Sequence, residues 1–271
     1  MNDIVTSIVL GIVEGITEFL PVSSTAHLLV AERLLALPPE KWEVFTVVIQ
    51  LGAILAVLAV FWKRLWDAVI GLPTSPQARR FALSVLIAFI PSVFAGVLLK
   101  KWIDKVLMDP SVAMPVIAAS WIIGGLLILG LERLAPKPRY HDAEKLPMTT
   151  ALYIGFFQIL AVLFPGTSRS GATILGGELI GVERGAAALF TFYLAVPTMF
   201  GATVYDLWKN RHALSADQTM NIGIGFVVSF IVALFVVRGF IAFIARYGLK
   251  PFGWYRVAAG LVLAAVIFMT R

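Results

Sequence analysis

Six stretches of the chain, Phe45 to Trp62, Phe81 to Leu99, Val112 to Leu131, Ala186 to Leu207, Ile222 to Ile244 and Phe252 to Met269, run for about twenty residues each with hardly a charge. At ~1.5 Å of rise per residue, each is long enough as a helix to cross a hydrocarbon layer of ~30 Å. The rest of the chain agrees: 59% of residues are hydrophobic and only 14% charged, against roughly a quarter charged in soluble domains. A mean hydropathy of +0.90 excludes a water-soluble globule. Its 271 residues suffice for one helical bundle and short loops, a single polytopic domain. The absence of cysteine removes disulfides, thiolate catalysis and cysteine-ligated metals. A net charge of +6 suits anionic lipid or an anionic substrate. No basic tract is interleaved with aromatics, so no nucleic-acid partner is expected.

Two more apolar segments, Ile4 to Leu35 and Thr149 to Ile180, are interrupted midway by proline and hydroxyl residues. The first carries Asp3 where a signal peptide has a basic region, so it is expected to stay in the mature protein. In hydrocarbon every backbone N–H and C=O must be paired, so such breaks survive only inside protein or beside a water-filled cavity. The expectation is two re-entrant helix–loop–helix hairpins plus six full transmembrane helices. Gly11, Glu14 and Pro21-Val-Ser-Ser24 align, at an offset of 144, with Gly155, Gln158 and Pro165-Gly-Thr-Ser168. The halves therefore read as internal repeats, about 1–134 and 148–271. One hairpin plus three spans is an odd number of crossings per half, which makes the repeats inverted, as in many transporters.

Loop charge gives the orientation. With the first hairpin entering from outside, the inner loops (63–80, 133–147, 244–251) hold ten Lys and Arg, and the outer segments (33–43, 100–112, 208–219, Arg271) hold eight. The balance places both termini outside. Trp62, Trp66, Trp102, Trp208 and Trp254, near span ends, read as interfacial belts. Glu132-Arg133 and Glu183-Arg184 read as boundary charges, and Arg238 and Arg256 as snorkelling or lipid-bound arginines.

Ionisable groups at membrane depth are costly and mark function. Glu14 and Glu18 lie one turn apart on one helix face, where two bare carboxylates repel. A divalent cation, Mg²⁺ or Ca²⁺, resolves this with hard oxygen ligands; the bland alternative is a carboxyl pair that neutralises itself. After Pro21 come Ser23, Ser24 and Thr25, each readable as an N-cap. His27 follows Ser24 by three residues, and a hydroxyl beside an imidazole is the arrangement that activates a nucleophile. In the second break Arg169 opens a helix whose free N–H groups already attract anions, and its fork of donors matches phosphate; otherwise it pairs structurally with Glu14, Glu18 or Glu178. Inverted repeats set their broken helices face to face, which converges these groups on phosphoryl-transfer chemistry: Ser24 attacking phosphorus and His27 as base and then acid, or a metal-held water attacking directly. Gln50 and Gln158 are candidates for bonds across helices, and Ser92 and Ser120 for close span packing.

At Gly11-Ile-Val-Glu14-Gly-Ile-Thr-Glu18-Phe-Leu-Pro21-Val-Ser23-Ser24-Thr25-Ala26-His27 and Phe164-Pro165-Gly166-Thr167-Ser168-Arg169-Ser170-Gly171, the sequence resembles the undecaprenyl-diphosphate phosphatase, or bacitracin resistance protein, family. The resemblance also covers the order and length of the spans. It implies a multi-pass protein of the bacterial cytoplasmic membrane that removes the terminal phosphate of undecaprenyl diphosphate, with its site open to the periplasm or exterior. It further implies a divalent-cation requirement, a role in recycling the carrier lipid for peptidoglycan, and bacitracin resistance. By position, Glu14 and Glu18 match the family's acidic pair, Ser24 and His27 its nucleophile and proton-transfer residue, and Arg169 its phosphate-binding arginine. Thr25, Thr167, Ser168 and Ser170 match hydroxyls lining the pocket. Ala26 departs from the family's glycine, a methyl that a helical backbone accommodates.

The competing class is a transporter or flippase of a polyprenyl phosphate or other anionic solute, since paired breaks are transporter architecture. A non-catalytic scaffold leaves the buried charges without purpose. Gly124-Gly125 near Gly130 offers a face for a homodimer.

Overall fold

A computed structural model describes residues 2–107, 109, 112–209 and 216–270, and among these the chain is all helix with no strand. The first broken segment is α1 (Asp3–Thr17) and α2 (Ser24–Leu34), followed by α3 (Pro39–Val60), α4 (Trp62–Gly71), α5 (Pro76–Trp102) and α6 (Ala113–Leu131). The second is α7 (Met148–Leu163) and α8 (Arg169–Leu179), followed by α9 (Arg184–Lys209), α10 (Ala216–Tyr247) and α11 (Lys250–Met269). Five of the apolar runs expected to span thus lie in a helix of their own, whereas Phe45 to Trp62 turns at Phe61 from α3 into α4, a helix where the inner loop 63–80 was expected. Five helices, α5, α6, α9, α10 and α11, are long and apolar enough to cross a membrane, and α3 with α4 makes a sixth candidate bent by 75°. Their outward faces carry large bare side chains such as Val97, Phe94 and Phe268, at 77, 64 and 83% exposure. Water would not tolerate that surface on a monomer, and lipid tails do. The chain is a multi-pass membrane protein. Of the residues counted for orientation, Arg211 and Arg271 lie outside the described residues.

Small residues set the packing. α1 lies on α10 where a Cβ on Gly11 would come within 2.7 Å of the Gly225 carbonyl. α7 lies on α5 where a Cβ on Gly155 would collide with the Ala88 carbonyl. Without a hydrophobic drive between helices in lipid, such close backbone approach supplies the dispersion contact that holds them. Thus the first arm of each broken segment packs on a span from the other half of the chain, while α3 packs on α9 and α6 on α11. Gly124 and Gly125 are spent inside the molecule: Gly124 leaves room for the Arg256 guanidinium and Gly125 for Gly253 and Val257 of α11. Of the face expected to serve a homodimer, Gly124 and Gly125 are thus filled from within the molecule, while Gly130 opens on free space.

Both breaks turn the same way. Ser23 (φ 73°, ψ 98°) and Ser168 (φ 64°, ψ 111°) cap α2 and α8 from the left-handed side of backbone space. A non-glycine residue there costs about 1–3 kcal/mol, which surrounding contacts must offset. Gly166, with φ 92°, lies in the second break, which is one residue longer after its proline than the first. The repeat offset of 144 therefore becomes 145 from the caps onward, and Arg169 rather than Ser168 is the structural counterpart of Ser24.

Candidate active site at the paired breaks

The two breaks touch. Ser170 Oγ donates to the Leu20 carbonyl at 2.8 Å and Ser168 Oγ to the same oxygen at 3.4 Å. Ser168 Oγ also accepts from the Gly171 amide at 3.2 Å, the cap its position predicts. A Cβ on Gly171 would meet Pro21 at 3.3 Å, so the helix start lies flush against the first break. Breaking a helix leaves carbonyls without partners. Arg256 of α11, only 1% exposed, answers this with donors to three of them, Pro21 at 3.3 Å, Thr167 at 3.0 Å and Gly166 at 3.0 Å, and to the Ser120 carbonyl of α6 at 2.9 Å. Trp121 Nε1 donates to the Val22 carbonyl at 3.0 Å. Arg256 is therefore the staple between the breaks and no snorkelling side chain. Its place in an apolar run gave no sign of this, because the carbonyls it meets belong to distant segments.

Beside the staple lies a cavity of about 320 Å³. Its polar lining is Glu18, Ser23, Ser24 and Thr25 from the first break, Thr167, Ser168 and Arg169 from the second, and Gln50 of α3. Its apolar lining includes Ile103, Ala161, Val162 and Met199. Gln158 instead bonds Ser92 at 2.6 Å and Thr198 at 3.4 Å, joining α7 to α5 and α9 as its type suggests.

Glu18 is the hub. Its Oε2 accepts a short hydrogen bond from Ser24 Oγ, and its Oε1 faces Arg169 Nη2 at 3.3 Å. Arg169 also donates to the Thr191 carbonyl at 3.4 Å, and its side chain is 13% exposed, toward the cavity. Ser24 and Arg169 are the first residues of α2 and α8, so two helix N-termini border the same cavity.

Three expected site residues stand elsewhere. His27 does not pair with Ser24: Nδ1 donates to the Ser23 carbonyl at 2.7 Å, and in the neutral ring Nε2 accepts from the Tyr255 hydroxyl at 2.6 Å. The imidazole also packs on Trp121, with centroids 4.7 Å apart. Side chains on a helix lean toward its N-terminus, which takes His27 back to the Ser23 carbonyl, while the Ser24 hydroxyl finds a carboxylate, the stronger acceptor. Ser170 is 1% exposed and its hydroxyl holds Leu20, so it braces the breaks instead of lining the cavity. Glu14 is fully buried below Glu18, and neither of its carboxylate oxygens has a hydrogen-bond partner. Ala26, helical and fully buried, accepts its methyl as expected.

Among the described residues no group of three His, Cys, Asp or Glu side chains is poised to hold a metal. The orphaned oxygens of Glu14, one turn from Glu18, nevertheless fit a hard cation that draws its other ligands from water and phosphate, as Mg²⁺ commonly does.

Away from the cavity, Glu132 and Arg184 are not boundary charges. Arg184 bridges Glu132 at 2.7 Å and Glu178 at 2.8 Å, and Glu132 also accepts from the Leu249 amide at 3.1 Å. The network ties the end of α6 to α8, α9 and the turn before α11.

A multi-pass helical membrane protein with a carboxylate, a hydroxyl and a guanidinium gathered at two facing helix breaks is a candidate membrane-embedded phosphate-handling protein. Residues 7–262 match the family model described as bacitracin resistance protein BacA, and the chain belongs to that family. It is 47% identical over 262 residues, 96% of both chains, to a protein of Bradyrhizobium diazoefficiens named undecaprenyl-diphosphatase. Proteins of the same name from Rhodopseudomonas palustris (strain TIE-1) and Caulobacter sp. (strain K31) are 48% identical over 95% of both chains and 47% over the whole of both.

Proposed function

We propose that the protein hydrolyses undecaprenyl diphosphate to undecaprenyl phosphate and inorganic phosphate, recycling the carrier lipid and conferring bacitracin resistance. The observation that carries this reading is the Ser24–Glu18–Arg169 cluster lining a cavity that also presents the apolar side chains of Ile103, Ala161, Val162 and Met199, which suit a lipid chain. Near-identical length and ~47% identity to proteins named for that activity support it over a transporter.

Arg169 and the N-terminal amides of α8 bind the terminal phosphate, with Thr25 and Thr167 beside it. Glu18 takes the Ser24 proton as the oxygen attacks that phosphorus in line. The bond from phosphorus to the bridging oxygen breaks, the lipid monophosphate leaves, and water then hydrolyses the phosphoserine to free Ser24. Glu14 and Glu18 are the ligands for a divalent cation, Mg²⁺ or Ca²⁺, which when bound withdraws charge from the phosphate oxygens. His27 holds the strained Ser23 turn, and through it the start of α2, in place.

The finer topology belongs to the same proposal. Six spans and two re-entrant hairpins, α1–α2 and α7–α8, form inverted halves, about 1–134 and 148–271, with both termini outside and the cavity facing the periplasm of a cytoplasmic membrane. The exchange of α1 and α7 between halves and the matched caps at Ser23 and Ser168 support it. The test is phosphate release by purified protein from undecaprenyl diphosphate with Mg²⁺ or Ca²⁺. Flux of labelled lipid across vesicles without any phosphate produced would instead make it a transporter.

A further inference from the structure

Helix α4 has three faces. Leu65 and Ala68 turn to the protein core. Trp62, Trp66, Val69 and Ile70, at the i, i+4, i+7, i+8 spacing of one stripe, are 58, 48, 56 and 57% exposed, and the two indoles stack with centroids 5.3 Å apart. Lys63, Arg64 and Asp67 occupy the third face, all exposed. Because α4 leaves α3 at 75°, it lies nearly in the membrane plane wherever α3 crosses. An apolar stripe beside a charged one, in that plane, is the pattern of a helix seated at the headgroup boundary.

The charge beside the stripe is net positive, Asp67 standing against Lys63 and Arg64 on α4 and Arg79 and Arg80 at the start of α5. Arg64 reaches toward Glu144, at 4.0 Å. Lys63 and, at the start of α5, the exposed Arg79 and Arg80 have no salt bridge among the described residues. Three open cations next to a tryptophan pair exceed what a zwitterionic surface requires. The cavity residue Ile103 sits about 35 Å along α5 from Arg80, a bilayer's thickness away.

We propose that α4 and the α4–α5 corner are a docking surface for anionic phospholipid headgroups, in the leaflet opposite the end of α5 where the catalytic cavity lies. Trp62 and Trp66 enter the acyl boundary while Lys63, Arg79 and Arg80 hold lipid phosphates. The surface does not depend on the catalytic reading.

The test uses full-length protein in phosphatidylcholine vesicles containing a minor fraction of brominated phosphatidylglycerol or, separately, brominated phosphatidylcholine. The tryptophan emission lost in Trp62→Phe/Trp66→Phe isolates the signal of α4. That signal should be quenched severalfold more by the brominated anionic lipid, since each engaged basic side chain enriches it about fivefold. Lys63→Gln/Arg79→Gln/Arg80→Gln should quench equally with both lipids while keeping its turnover in detergent, which shows that it folds. Equal quenching of the unaltered protein by both lipids, or an α4 signal that neither lipid quenches because protein covers the face, overturns the proposal.

Discussion

Ser24 opens the second helix of the first break, and its hydroxyl donates to Glu18, the C-cap of the helix before it, while the other oxygen of that carboxylate faces Arg169. A single side chain thus aligns a hydroxyl from the first break with a guanidinium from the second. Replacing Glu18 by Gln keeps the shape and removes the base, and should lower kcat by about 10²–10⁴. Ser24→Ala should cost at least as much, and Arg169→Ala about 10²–10³ through lost stabilisation of the phosphate. Phosphate release under saturating lipid measures all three; undiminished turnover in Ser24→Ala would assign the attack to water.

His27 should act through geometry. Asn places an amide N–H where Nδ1 stands and can still donate to the Ser23 carbonyl, whereas Ala cannot. His27→Asn should therefore keep kcat within about tenfold, with the pH–rate profile unchanged, and His27→Ala should fall well below it. If His27→Asn loses one limb of the pH profile together with its activity, the imidazole is a proton carrier after all.

Glu14 should report on the cation. Chelator should abolish turnover, and Glu14→Gln should raise the Mg²⁺ concentration for half-activation by about 10–100-fold, with much of kcat recovered at saturation. Superimposable activation curves for the two proteins would remove Glu14 from the metal site.

Arg256 should govern stability. Arg256→Met strands three carbonyls at the breaks and frees its hold on Ser120 of α6, and should cost about 3–5 kcal/mol, seen as a lower midpoint for unfolding in detergent. Arg256→Lys should recover only part, since a compact ammonium lacks the spread of donors. An unchanged midpoint in the Met variant contradicts the staple.

Arg184 is shared by two buried carboxylates, so Arg184→Met should destabilise by about 3–5 kcal/mol, and adding Glu178→Gln should restore part of it by removing one stranded charge. A double variant no more stable than Arg184→Met would mean that the two glutamates are held by other contacts.

Most of the long apolar helices, the two breaks and most of the cavity's polar lining were legible from residue order. Twenty apolar residues in a row admit only a helix in lipid, and proline among hydroxyls admits only a break. Glu18, Ser24, Thr25, Thr167, Ser168 and Arg169 stood out because polar groups in apolar segments are rare, and all six line the cavity. The same signal failed at Arg256 and Arg184, whose positions near span ends have a common and bland explanation in snorkelling.

Residue order by itself determined that this chain lives in a membrane, where two of its apolar segments break, and which side chains are costly enough there to carry chemistry. Only the tertiary structure decided which of them meet: Ser24 takes Glu18 and leaves His27 to Ser23 and Tyr255, Arg256 binds both breaks, and Ser170 becomes a brace. The reason is physical. Helical periodicity specifies which face a side chain occupies, but the choice among hydrogen-bond partners is won by distance, direction and charge, within the first break for Ser24 and Ser23 and between distant segments for Tyr255, Arg256 and Ser170, and these are set only once the two halves have packed.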